Sequence, residues 1–236
     1  MRTAVIYSGQ ARTFGETFPN QYFHVLRKLP NPEFFVSVAD DEQAASMLRL
    51  RERFPAESIH IEYVKQPTLP EPDGDPKWLS GYQPSATPQA ILRQFWALEQ
   101  AWNFYGSQRV GAFKIVVRIR PDLAFLRCEI PDLKYFRPTE VLAPWWARWG
   151  GMNDRFAIMG EPAARCYFET FHHIKMLQTK FGCPLHPETL LYTNLERAGM
   201  CILANLQTEF LTVRLDGTAV PPSITDIDLA DYARDR

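Results

Sequence analysis

The chain reads as an α/β domain built on a mostly parallel central sheet with helices on both faces. Three observations predict this. Short apolar runs alternate with helical periodicities over the first 64 residues, which is the rhythm of parallel strands joined by crossover helices. Lys114-Ile115-Val116-Val117-Arg118-Ile119 is a near-continuous β-branched run of the kind that forms a strand buried on both faces. Turn residues punctuate the runs at the spacing such units need.

In order, Thr3–Tyr7 reads as a first strand, followed by the polar loop Ser8-Gly9-Gln10-Ala11-Arg12-Thr13. A helix over Glu16–Leu29 puts Phe18, Tyr22, Val25, Leu26 and Leu29 on one face, and Pro30 and Pro32 stop it. Glu33–Val38 is a second strand, Gln43–Phe54 a second helix and Ser58–Val64 a third strand. Lys65–Pro88 breaks the rhythm with six prolines and Asp73-Gly74-Asp75. Loops this long are functional or disordered, and Trp78 and Tyr82 favour an ordered flap. Helical periodicity returns over Gln89–Tyr105 and leads into the strand Phe113–Ile119. Leu123–Leu126 extends or restarts that strand, and Val141–Pro144 and Phe156–Met159 are further strands. Pro162–Phe181 and Pro187–Ala198 are helices, and Met200–Leu203 and Glu209–Val213 are closing strands. The tail from Asp216 is acidic and proline-containing.

The 236 residues suit one domain or a domain with a small appendage, and 46% hydrophobic residues with six Trp supply a sizeable core. A net charge of −1 gives no electrostatic case for nucleic acid or an anionic membrane. The apolar run Ala4–Tyr7 is too short for a signal peptide or a transmembrane segment. Cys128, Cys166, Cys183 and Cys201 are widely spaced, with no Cys-x-x-Cys pair. The expectation is a cytoplasmic protein with reduced thiols.

The candidate site begins at Arg118, Arg120 and Asp122. In open α/β sheets ligands gather beyond the carboxyl ends of the strands, where these residues fall. Arginine forks match phosphate oxygens, and a carboxylate suits Mg²⁺ or Mn²⁺; a salt bridge at a strand end is the competing reading. Ser8-Gly9-Gln10 either brings backbone N–H groups to a nucleotide or is an ordinary strand-to-helix turn. Asp40 and Asp41 either meet ribose hydroxyls or cap the next helix. Trp145, Trp146 and Trp149 offer indole faces to a sugar or pack internally. In His186-Pro187-Glu188, Pro187 and Glu188 suit the first turn of a helix. Functionally, Glu188 is a candidate base and His186 a candidate metal ligand. His172 and His173 read as structural or surface residues.

Four segments line up in order: Ile6-Tyr7-Ser8-Gly9-Gln10-Ala11-Arg12-Thr13-Phe14, Val117-Arg118-Ile119-Arg120-Pro121-Asp122, Asn153-Asp154-Arg155-Phe156-Ala157 and His186-Pro187-Glu188-Thr189-Leu190-Leu191. With the helix around Gln94, the set resembles small GT-A-type glycosyltransferase-like proteins of polysaccharide gene clusters and large DNA viruses. The resemblance runs from Thr3 to Gly217, leaving 218–236 as a C-terminal tail. It implies a GT-A-like, Rossmann-like fold and transfer of a sugar from a nucleotide-diphosphate donor to a glycan or other hydroxyl acceptor. Many GT-A enzymes carry an Asp-x-Asp pair for a divalent metal. Here Arg120 stands at the first position and only Asp122 remains. Either Asp122 shares a hydrated Mg²⁺ or Mn²⁺ with the phosphates, or the arginines neutralise the charge instead.

On this resemblance Ser8, Gly9, Gln10, Arg12, Arg118, Arg120 and Asp122 form the donor site, with the three arginines stabilising the leaving diphosphate. Trp149-Gly150-Gly151-Met152-Asn153-Asp154 loosely resembles the acceptor loop of some galactosyltransferases. That makes Trp149 and Arg155 acceptor-side residues and Asp154 the preferred catalytic base, ahead of Glu188; a salt bridge to Arg155 is the structural alternative for Asp154. The runner-up function is a catalytically silent nucleotide-sugar or carbohydrate-binding module on the same fold. The absence of G-x-x-x-x-G-K-[ST] and G-x-G-x-x-G argues against P-loop and dinucleotide-binding proteins.

Overall fold

The computed structural model describes residues 1–70 and 87–220. Seven strands form the main sheet: β1 (Thr3–Gly9), β2 (Pro32–Ala39), β3 (Ile59–Val64), β4 (Ile115–Ile119), β6 (Glu140–Pro144), β7 (Phe156–Gly160) and β8 (Cys201–Asn205). Their order is β3-β2-β1-β4-β7-β6-β8. The pairs β3–β2, β2–β1, β1–β4 and β6–β8 are parallel, and β7 runs antiparallel to both its neighbours. A small antiparallel sheet joins β5 (Leu123–Cys128), β9 (Thr208–Val213) and β10 (Ala219–Val220). The chain is thus a mixed α/β protein with a large, mostly parallel sheet.

The central strands β1, β2, β4 and β7 are buried on both faces, and side chains alternate between two cores with the period of two that a strand imposes. On β1, Ala4 and Ile6 enter one core and Val5 and Tyr7 the other; on β2, Phe35 enters the first and Phe34, Val36 and Val38 the second. The first core lies under α2 (Pro88–Gln108), α3 (Glu161–Phe168), α4 (Thr170–Phe181) and α5 (Pro187–Arg197). The second lies under α1 (Phe14–His24) and the small sheet.

Some elements depart from the sequence reading. The helix expected over 43–54 is a 3₁₀ helix, Ala44–Glu52. Its buried residues are Ala44, Met47 and Leu50, and a spacing of three aligns on one edge only at three residues per turn. The single helix expected over 162–181 breaks at Glu169 into α3 and α4. There the Thr170 hydroxyl donates to the Tyr167 carbonyl (2.9 Å), and Asn194 Nδ2 donates to the Cys166 carbonyl (2.8 Å). These side chains take the acceptors of the last turn of α3 and divert the backbone ladder. Of the two readings of the segment after β4, the restart holds: 123–128 lies in the small sheet, which carries the turn at 120–122 over the end of the main sheet.

Ala219–Val220 pairs with β9, so the start of the acidic tail closes the small sheet. Most of the long proline-rich loop, with Trp78 and Tyr82, and the tail beyond Val220 lie outside the described residues. Among the described residues no helix is long and apolar enough to cross a membrane. All four cysteines are free.

Candidate functional site

The carboxyl ends of β1 and β4 open into a cavity of about 650 Å³, within the range of small-molecule sites. Ser8, Gly9, Gln10 and Arg12 reach it from the end of β1. Gly9 has φ +94°, a conformation open mainly to glycine, and nothing crowds the place a Cβ would take. Arg12 is held at φ +44° without being glycine, a strained state that persists only when its surroundings impose it. Its Nη1 donates to Asp122 Oδ2 at 2.8 Å and its Nε to Gln10 Oε1 at 3.2 Å.

Arg120 forks onto the same carboxylate, Nε to Oδ1 at 3.0 Å and Nη2 to Oδ2 at 2.6 Å. Asp122 is 1% exposed and therefore desolvated, which alone would raise its pKa. The Arg120 and Arg12 guanidiniums outweigh that and hold it at about 2. Helix α1 fixes this turn from below. Gln21 is fully buried; its Nε2 donates to the carbonyls of Pro121 (3.0 Å) and Leu123 (2.9 Å), and its Oε1 accepts from the Tyr7 hydroxyl (2.8 Å). Thr17 Oγ1 donates to the Pro121 carbonyl (2.6 Å), and Val213 N donates to the Asp122 carbonyl (2.8 Å).

A second wall combines α2, the 151–155 loop and the start of α5. Ala90, Arg93, Gln94 and Ala97 line the cavity from one face of α2, as their i, i+3, i+4, i+7 spacing requires. Gln94 Nε2 donates to Asp154 Oδ2 at 2.6 Å, and Arg155 Nε lies 3.8 Å from Asp154 Oδ1. Arg118, 2% exposed, donates to the Arg155 carbonyl, and the Tyr167 hydroxyl donates to the Asp154 carbonyl at 3.0 Å. Burial opposes ionisation of Asp154, but Arg155, Arg120 and Arg118 prevail and lower its pKa. Glu188, in the first turn of α5 behind Pro187, goes the other way. Desolvation, reinforced by the Asp154 charge, raises its pKa well above the ordinary 4.5. The two carboxyls are thus driven apart, one ionised and one inclined to hold its proton.

The tight loop before Asp154 is keyed to Glu188. Gly151 lies against the Glu188 backbone, and Met152 N donates to the Glu188 carbonyl at 3.2 Å. Trp149, expected on the acceptor side, is not among the cavity-lining residues; its ring stands edge-on to His186, 6.0 Å between centroids. Trp146, from the same cluster, does line the cavity. His186 is fully buried, with Nδ1 3.1 Å from Thr189 Oγ1 and Nε2 3.4 Å from Glu188 Oε2. Burial pushes its pKa down to about 4. Asp40 and Asp41 are exposed and away from the cavity lining, and Asp41 Oδ1 caps Gln43 N at 3.0 Å, the turn-capping alternative. His172 is a surface residue paired with Glu99.

Asp122, the metal ligand expected from the sequence, is engaged by arginine. Both its oxygens accept from arginine, and no cluster of three His, Cys, Asp or Glu suited to a metal occurs among the described residues. The positive charge lining the cavity comes from arginine. Arg12, Arg93, Arg118, Arg120, Arg155 and Arg214 line the cavity against Asp122, Asp154 and Glu188. Arg93 and Arg214 were not expected from the sequence. The signal for Arg93 was its place beside Gln94 between two alanines on one helical face; Arg214 follows β9 and carries no local motif.

A family model described as a domain of unknown function (DUF7796) matches residues 1–233. No curated protein matches the chain.

Proposed function

The chain belongs to the DUF7796 family, and from the chemistry of its cavity we propose that it is a GT-A-like glycosyltransferase that moves a sugar from a nucleotide-diphosphate donor to a hydroxyl acceptor. The observation that carries this reading is the Arg12–Asp122–Arg120 clamp at the ends of β1 and β4, in one cavity with two carboxyls of opposed acidity. Asp122 preorganises the two guanidiniums, so they meet a diphosphate without paying to order themselves.

In the proposed reaction the acceptor oxygen attacks the anomeric carbon. The bond from that carbon to the diphosphate breaks, and its electron pair leaves with the diphosphate, where Arg12 and Arg120 stabilise the charge. The acceptor proton passes to a carboxylate. Glu188 fits that role better than Asp154, because a base with a raised pKa holds the proton more firmly, whereas Asp154 is kept weakly basic by its arginines. Asp154 then serves to hold an acceptor hydroxyl. No step is assigned to a metal, since arginine already occupies the one carboxylate at the diphosphate end. Four free cysteines fit a cytoplasmic setting.

The test is a thermal-shift screen with UDP, GDP, dTDP, NAD and ATP, with and without Mn²⁺. A ligand at ~100 times its Kd adds about 2.7 kcal/mol of stability. Selective stabilisation by one nucleoside diphosphate supports the reading; equal shifts with all, or none with any, sink it. Slow hydrolysis of the matching nucleotide sugar separates an enzyme from a silent binding module.

A further inference from the structure

The cavity carries more positive charge than a nucleotide sugar uses. Its six arginines face Asp122, Asp154 and Glu188, three negative charges when Glu188 is ionised, and a sugar diphosphate brings two more. A surplus of one remains among the described lining residues. The surplus is on the Asp154 wall rather than at the Asp122 clamp, where Arg12 and Arg120 share one carboxylate. On that wall Arg118 and Arg155 act on Asp154, and Arg93 lines the cavity from α2 beside Gln94.

Two of these arginines have unmet bonding capacity. Arg93 Nε and Arg118 Nε are buried and find no hydrogen-bond acceptor among the described residues. A buried guanidinium N–H is costly to leave unsatisfied. Arg93 is next to Gln94, which bonds Asp154, and Ala90 and Ala97 on the same helical face leave room beside it.

We propose that the acceptor bears an acidic group of its own, a carboxylate or a phosphate on the sugar, and that Arg93 receives it on the Asp154 wall with Arg118 adding its charge from beneath. The inference rests on the nucleotide-sugar reading above and names the acceptor class. Arginine suits the task because its planar fork matches both oxyanions.

Calorimetry on the intact protein saturated with UDP tests it. Glucuronate, glucose 6-phosphate and glucose are titrated in turn, with acetate and inorganic phosphate as ion controls. The nucleotide titration itself reports on the underlying reading: if no nucleoside diphosphate binds, that reading fails first. With UDP bound, at least one acidic sugar should bind tenfold or more tightly than glucose and than its own free ion, and the better of the two tells carboxylate from phosphate. Arg93→Gln should weaken that acidic sugar at least tenfold and leave UDP affinity unchanged; Arg93→Lys should recover part of the loss. Acidic sugars that bind no better than glucose, including no binding by either, overturn the proposal, as does equal binding of the free ions.

Discussion

Gly151 and Glu188 are in backbone contact. A Cβ on Gly151 would lie well inside van der Waals distance of the Glu188 carbonyl and 2.7 Å from Thr189 N. This contact sets the 151–155 loop on the start of α5 and so brings Asp154 and Glu188 into one cavity.

Gly151→Ala therefore has no cheap accommodation, because the obstacle is backbone rather than a flexible side chain. Overpacking of this kind costs about 1–3 kcal/mol. The expected outcome is a lower melting temperature together with weaker sugar transfer, since the shift separates the two carboxyls. A variant with wild-type stability and activity would show that the loop and helix are not locked together.

Asp122→Asn tests the clamp. The fold holds Asp122 at about 2 against an ordinary 3.8, so its ionised form stabilises the protein above pH 3.8, and that stability is lost as pH falls through about 2. The shift corresponds to about 2 kcal/mol. Asn keeps the shape but not the charge, so acid titration of stability by chemical denaturation should lose this component. Donor binding should weaken equally in EDTA and in Mn²⁺. A loss confined to the Mn²⁺ arm would make Asp122 a metal ligand after all.

Gln21→Leu tests a residue that acts through others. It is isosteric enough for the core but removes the side-chain partner of the Tyr7 hydroxyl and the Leu123 carbonyl, while the Pro121 carbonyl keeps Thr17. Unsatisfied buried groups cost about 1–3 kcal/mol. With the 120–122 turn loosened, donor KM should rise while acceptor KM holds. Unchanged donor KM would confine Gln21 to a structural role.

Gln21 also marks where the sequence stops being informative. The β-branched runs announced the strands because a sheet buried on both faces leaves no alternative to them, and the polar residues that end β1 and β4 pointed to the cavity. Gln21 carries no local signal of its role, since the Pro121 and Leu123 carbonyls it binds lie about a hundred positions away. The antiparallel sense of β7 and the second sheet were hidden for the same reason: strand partners are long-range facts. The 3₁₀ segment was visible only as a spacing of three among Ala44, Met47 and Leu50, easily taken for a helix. At the site, Arg93 and Arg214 lacked a motif, and the opposed acidities of Asp154 and Glu188 depend on burial and on neighbours that no local pattern reveals.

Glu188→Gln separates the two candidate bases. Burial and the Asp154 charge favour the protonated carboxyl, so wild-type stability from this group is present below pH 4.5 and declines as pH rises toward the elevated folded value. Gln has no proton to lose. The variant's melting temperature should therefore gain on wild type as pH increases above 4.5, an exchange of stability against function that active sites commonly show. Activity should move the opposite way. As base, Glu188 must be ionised, so wild-type kcat/KM should rise with pH across the same interval. His186, already neutral above about pH 4, adds no titration there. Loss of a general base costs roughly 10²–10⁴-fold, and the variant should lose the rising limb as well. If Glu188→Gln keeps both its rate and the pH dependence while Asp154→Asn abolishes them, the base is Asp154 and the raised pKa of Glu188 is only a consequence of packing.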